Sequence, residues 1–226
     1  MRIEKLEPSR HKQGRWLVWL EDGSLLRVGE GDVVSLGLHT GKELTEEQGQ
    51  ALVEAQERNR MEGRAAALLT GRPMSRKELE DRLSAPPRRR SGPGEGQEAD
   101  LEALERERAQ LRERARRTAD RMEDLGLLDD GAYAEVVVRH YAAKGYGARK
   151  IRDELYRRGV PRALWDGALA QVEDQGPRLD ELVRRRLRGG QPTREELKKT
   201  SDYLARRGFS WEEIAQALER YQSWED

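Results

Sequence analysis

Cysteine is absent from the 226 residues, which excludes disulfides, thiolate metal sites and a cysteine nucleophile. Phenylalanine occurs once, and apolar residues make up only 35% of the chain against 38% charged. So little apolar material does not fill one large core. Several small cores, each covered by charged helix faces, fit the composition better. No apolar run approaches the roughly 18–20 residues of a membrane span, and the opening MRIEKLEPSR has no apolar signal segment. A cytoplasmic protein without membrane association is expected. Net charge is missing too, since 43 bases balance 43 acids. Any binding to nucleic acid must therefore rest on local patches rather than on the field of the whole molecule.

What is present is mostly helical periodicity. Residues 2–7 and 15–28 read as strands, with a hairpin turn at Glu21-Asp22-Gly23-Ser24, because Asp-Gly between apolar runs suits a tight turn. A short helix over 30–39 follows, ended by Gly41. Thr45 with Gln48, and Ser75 with Glu78, have capping-box spacing and open helices over about 45–59 and 75–83. Pro73 separates them. Residues 84–100, SAPPRRRSGPGEGQEAD, are breakers and charge, and read as a flexible insertion. A long amphipathic helix runs from Leu101 to a stop at Gly126. Helices over about 130–143, 147–157 and 161–172 come next, with Gly145 and Gly159 as stops. The tail repeats the plan near 178–187, 193–206 and 210–222.

The tail is a copy of what precedes it. KIRDELYRRGVPRALWDGALAQV from Lys150 aligns without gaps on KTSDYLARRGFSWEEIAQALERY from Lys199, an offset of 49. Leu155 falls on Leu204, Val160 on Phe209, and Arg157-Arg158-Gly159 on Arg206-Arg207-Gly208. Leu79 and Leu83 correspond to Ile151 and Leu155, so a first copy lies upstream without its Arg-Arg-Gly turn. The expected fold is mainly α, with tandem repeats of three-helix, helix-turn-helix-like units, elongated or curved, and a small N-terminal β-hairpin extension. The divisions are 1–44 (hairpin and short helix), 45–129 (first repeat, interrupted near 84–100), 130–175 (second) and 176–226 (third). A three-helix unit of roughly 50 residues has a marginal core, and stacking neighbours adds burial.

Local charge is strongest at 139–158, where Arg139, Lys144, Arg149, Lys150, Arg152, Arg157 and Arg158 oppose only Asp153 and Glu154. Tyr141 and Tyr146 are interleaved. Cationic helices with aromatics suit phosphates and bases, or an acidic protein groove; the bland alternative is a solvated face with the tyrosines in the core. Arg184, Arg185, Arg186 and Arg188 form a second patch, although bases at a helix C-terminus also favour its dipole. Lys198, Lys199, Arg206 and Arg207 mirror the middle repeat and extend the stripe. Arg88–Arg90 is more often a solvated loop. No catalytic or metal site is expected: His11, His39 and His140 stand alone, and LHTGKE at 38–43 lacks the glycine and hydroxyl of a phosphate loop. Gly145 and Gly147 around Tyr146 are expected in a turn with positive φ. Trp16, Trp19, Trp165 and Trp211 are expected to pack in the core or hairpin.

Three stretches together resemble the RecX family of RecA regulators: RPMSRKELEDRL, LGLLDDGAYAEVVVRHYAAKGYGARKIRDELYRRGV and RRGFSWEEIAQAL. The most specific are the G-L-x-D-D-x-x-Y-A string, Gly126 to Ala134, and the K-G-Y-G string, Lys144 to Gly147. The insertion departs from the usual compact first repeat. The resemblance implies a regulatory protein, not an enzyme, needing no cofactor. Its partner would be RecA, usually as the filament on single-stranded DNA, whose ATPase, recombination and co-protease roles in DNA repair and the SOS response it restrains. It also implies weak direct DNA binding, and that Asp129-Asp130 is structural, shaping the join between repeats. A monomer is expected. The alternative is a helix-turn-helix-type DNA-binding transcription regulator, against which stands the spread of bases over several helices. A pure protein-interaction scaffold is the third reading.

Overall fold

Strand β2 (Arg15–Leu20) alternates Trp16, Val18 and Leu20 on one face, the two-residue period of a half-buried strand. It lies between β1 (Ile3–Pro8) and β3 (Leu25–Gly29) in a fully antiparallel sheet, with Leu6 opposite Val18 and Val28 opposite Trp16. The hairpin turns at Asp22-Gly23 as expected: Gly23 has φ 80°, and the Asp22 carboxylate accepts from the Ser24 N–H at 2.9 Å. The computed structural model describes residues 1–85, 101–171, 176–187 and 191–225. Most of the expected insertion, including Arg88–Arg90, and also Arg188, lie outside these.

Helix α1 (Glu30–Ser35) is shorter than expected, because Gly37, at φ 56°, turns the chain before Gly41 is reached. Helix α2 (Glu46–Gly71) opens with the expected box, Thr45 and Gln48 capping each other at 3.2 Å, and runs unbroken through 59–61. It stops before Pro73, where Arg72 is driven to extended backbone. Leu52 and Ala55 of α2 close one core with Ile3, Val18, Leu20, Val28, Leu38 and Leu44. Helix α3 (Arg76–Ser84) buries Leu79 and Leu83, and α4 (Leu101–Asp124) buries Ala115, Thr118, Ala119 and Met122.

The chain divides into two compact bodies, Met1–Arg72 with Leu79–Leu127, and Pro73–Glu78 with Leu128–Asp226. The second holds α5 (Asp130–Ala143), α6 (Ala148–Arg157) and α7 (Trp165–Ala170), then α8 (Gly176–Leu187), α9 (Arg194–Arg206) and α10 (Trp211–Glu225). The helix expected over 161–172 is split: a 3-10 turn over Arg162–Leu164 leads into α7, and the Trp165 indole N–H is held by the Val160 carbonyl at 3.0 Å. Each three-helix unit has its own core. Tyr133, Val137, Val138, Ile151, Leu155 and Val160 form one, and Leu179, Val183, Leu204, Phe209, Ile214 and Tyr221 the other. Leu155 and Leu204, and Val160 and Phe209, thus hold equivalent buried places, as the 49-residue offset requires.

The helix stops share one device. After α4, α5, α6 and α9 a glycine (126, 145, 159, 208) takes positive φ, and the next residue's N–H reaches back five residues: Leu127 to Met122, Tyr146 to Tyr141, Val160 to Leu155, Phe209 to Leu204. This is the Schellman closure, with the apolar residue beyond the glycine packing back on the last turn.

Candidate nucleic-acid interface

Helix α6 carries the densest cationic stretch, and its apolar stripe is Ile151, Leu155 and the residues that share their face. Ile151 and Leu155 are fully buried. At helical spacing Glu154 and Arg158 lie on the same inward face. Glu154 is accordingly buried, and it accepts from the Tyr141 hydroxyl at 2.9 Å and from Arg157 at 2.6 Å. Arg158 donates to the Tyr133 hydroxyl at 2.9 Å and lies 5.8 Å from the Tyr141 ring centre. Tyr141 is therefore an internal hydrogen-bonding residue, not an open platform for bases.

Burial pushes the Glu154 carboxyl up, but hydrogen bonds from Arg157 and Tyr141 and the charges of Arg157 and Arg158 outweigh it, holding the group below the ordinary carboxylate range. A folded pKa below the unfolded one contributes stability that is present above the unfolded value of about 4.3 and is lost as pH falls through the folded value. Glu154→Gln is expected to lower stability at pH 7 by about 2 kcal/mol, the worth of hydrogen bonds to a charged group. The gap from the parent should narrow on acidification, as read by urea unfolding at pH 7 and pH 3.5. A gap independent of pH would show that the ionised carboxylate is not what matters.

The remaining cations fall into two sets. Arg139, Lys144, Arg149, Arg152, Arg157, Arg184, Arg185, Arg186, Lys198, Lys199 and Arg206 are exposed, while Lys150, Arg158 and Arg207 are half-buried. Several exposed ones have acidic partners: Arg139 with Glu135 at 3.7 Å, Arg152 with Asp166 at 3.1 Å, Lys199 with Glu195 at 2.7 Å, and Arg185 with Glu181. Arg186 stacks 4.7 Å from the Tyr203 ring centre. Among the described residues, Arg149, Lys150, Lys198 and Arg206 have no ion pair. Arg149 and Lys198 are equivalent positions in the two copies, so the fold presents an unpaired cation at the same place in each.

Arg207 is engaged differently. Its guanidinium donates to the Lys144 and Gly145 carbonyls at 2.8 and 2.9 Å, and lies between Tyr146 and Tyr203 at 4.9 and 5.2 Å from the ring centres. Tyr146 is thus half-buried and stacked on Arg207. The exposed tyrosine is Tyr156, 69% accessible, which the sequence reading passed over although it lies off the Ile151–Leu155 stripe. Trp211, expected inside, is 61% exposed at the start of α10. Gly147 has φ −78°, not the positive φ expected; its missing side chain serves a close backbone approach instead. Asp129 caps α5 by accepting from the Ala132 N–H at 3.0 Å, and Asp130 accepts from the Arg76 N–H of α3 at 2.8 Å, so this pair joins helices. Among the described residues no group of three His, Asp or Glu is placed to hold a metal ion, and no helix is long and apolar enough to cross a membrane.

Two successive three-helix units with separate cores, each joining its second and third helices through an Arg-Arg-Gly turn, define a tandem helical repeat protein. The models of the RecX second and third three-helix domains match residues 129–169 and 174–218. Regulatory protein RecX of Xanthomonas citri is 36% identical over 156 residues, covering 68% of this chain and 83% of that protein. Regulatory protein RecX of Pseudomonas entomophila is 38% identical over 102 residues, 44% of this chain and 65% of that one, so the chain spans just under two thirds of that relative's length. The fold matches a crystal structure of a regulatory protein RecX with a TM-score of 0.73 at 22% identity, over 96% of this chain and 98% of that one. The chain belongs to the RecX family of regulatory proteins.

Proposed function

We propose that the chain binds RecA, chiefly as its filament on single-stranded DNA, and restrains the filament's ATPase, recombination and co-protease activities, with weak DNA binding of its own. It works by binding rather than catalysis, as a monomer without cofactor, through the units at 130–175 and 176–226. The observation that carries this reading is the start of α6. Helices α2, α9 and α10 open with acidic pairs, as the positive end of a helix dipole favours, whereas α6, like α8, has no acid in its first turn and opens with the adjacent cations Arg149 and Lys150. Cations there are unfavourable for the helix by a few tenths of a kcal/mol to about 1 kcal/mol each. An anionic partner such as phosphate turns that into affinity. Spread over α6, α8 and α9, the cations suit a long partner better than one duplex site read by a single helix. The test is the ATPase of RecA on single-stranded DNA with the protein added. Inhibition and co-sedimentation with filaments are expected; unchanged turnover at saturating protein without co-sedimentation overturns the reading.

A further inference from the structure

The Arg-Arg-Gly turns do something that charge counts do not suggest: each one closes the front end of a helix belonging to the preceding unit. The Arg207 and Gly208 carbonyls accept from the N–H groups of Gly147 and Arg149 at 2.9 and 3.1 Å, at the N-terminus of α6. That end has no side-chain cap, and its first N–H groups would otherwise lack partners. One copy earlier the Arg158 carbonyl accepts from the Ser75 hydroxyl, which itself caps α3 by accepting from the Glu78 N–H at 3.1 Å. Gly147 and Ser75 are equivalent N-terminal positions, as Gly208 and Gly159 are equivalent turn positions. The turn therefore meets a helix front twice, through backbone N–H groups at α6 and through the capping Ser75 hydroxyl at α3.

The third and first units differ from the second. The middle helix of the third unit, α9, does not wait for a further turn. It begins at Arg194, upstream of the position equivalent to Gly147, and closes itself with a Thr193–Glu196 box. The first unit has no Arg-Arg-Gly sequence after α3.

We propose that Arg207 is a positioning residue. It locks the turn of the third unit onto the second by filling the carbonyl end of α5 and stacking between Tyr146 and Tyr203, so that Arg149 and Lys198 are held in fixed relation and meet one elongated anionic partner together. Its charge is used inside the protein, not on the partner. This rests on the binding reading above, but its first readout does not.

Arg207→Lys keeps the charge and loses the planar, two-carbonyl, doubly stacked geometry. Circular dichroism checks first that the variant remains folded. Hydrogen exchange at the Gly147 and Arg149 amides should then accelerate. Affinity for the RecA filament should fall by about tenfold with the salt dependence of binding unchanged. Arg206→Ala, at the exposed neighbour, should leave those amides protected. Unchanged exchange at Gly147 and Arg149 in Arg207→Lys overturns the lock whether or not a filament is bound. A salt slope reduced by roughly one in Arg207→Lys overturns it in favour of a direct phosphate contact. If the parent protein binds no filament, the partner assignment fails and exchange still decides the lock.

Discussion

Replacing Lys144, Arg149, Lys150 and Arg152 together by Glu is expected to abolish binding to the RecA–DNA filament while leaving helicity unchanged. The helix tolerates it for a stated reason: Arg149 and Lys150 stand in the first turn of α6, where anions are the favoured residues. The structure gives up little else. Arg152 has one exposed pair with Asp166, worth at most about 1 kcal/mol. Lys144 lies 5.8 Å from the Tyr141 ring centre at an exposed site, where such contacts are worth about 0.5–1 kcal/mol. The partner surface, by contrast, loses four cations and meets four anions, and juxtaposed like charges cost several kcal/mol. Affinity should drop by at least about a thousandfold. Filament co-sedimentation with and without added salt measures it. Binding that survives in this variant would move the site off α6, to the cations of α8 and α9.

Much of this fold was legible because its signals are local. The hairpin at Asp22-Gly23, the box at Thr45, the cap at Ser75 and the stops at Gly126, Gly145 and Gly159 each depend on residues within a turn or two of one another. The repeat was legible because two cores of the same shape need the same apolar spacing. Less of the interface was legible, because a count of charges along the chain does not show what each one meets. Arg158 and Arg207 counted as free cations and turned out to be hydrogen-bonded into the second body. A helical wheel would have found the first of these, since Arg158 and Glu154 fall on the Ile151–Leu155 stripe. Nothing local would have found the second: Arg207 meets Lys144 and Gly145 across 62 or 63 residues of sequence. Gly147 was misjudged for the same reason, being required by a distant backbone rather than by its own φ.

That distant contact sets up the second large effect. Gly145, Gly159 and Gly208 lie in one body with φ of 73, 72 and 93°, so alanine at each carries the same left-handed backbone cost, about 1–2 kcal/mol. What differs is what the added methyl meets. At Gly145 it meets the ends of Leu182 and Arg207 at 3.1 and 3.2 Å, which can swing aside. At Gly159 it meets the stem of Lys77 at 2.6 Å, a side chain that can move but is anchored nearer its backbone. At Gly208 it meets the Lys150 backbone nitrogen at 2.4 Å, which cannot move without withdrawing the turn from α6. Withdrawal breaks the bonds from Gly147 and Arg149 and leaves the front of α6 open, at roughly 1 kcal/mol for each bond lost. The expected order of destabilisation is Gly145→Ala, then Gly159→Ala, then Gly208→Ala, the last reaching about 4 kcal/mol. Urea unfolding of the three variants measures it. Equal losses at all three would mean that only the shared backbone conformation matters, and that the turn does not plug the helix before it.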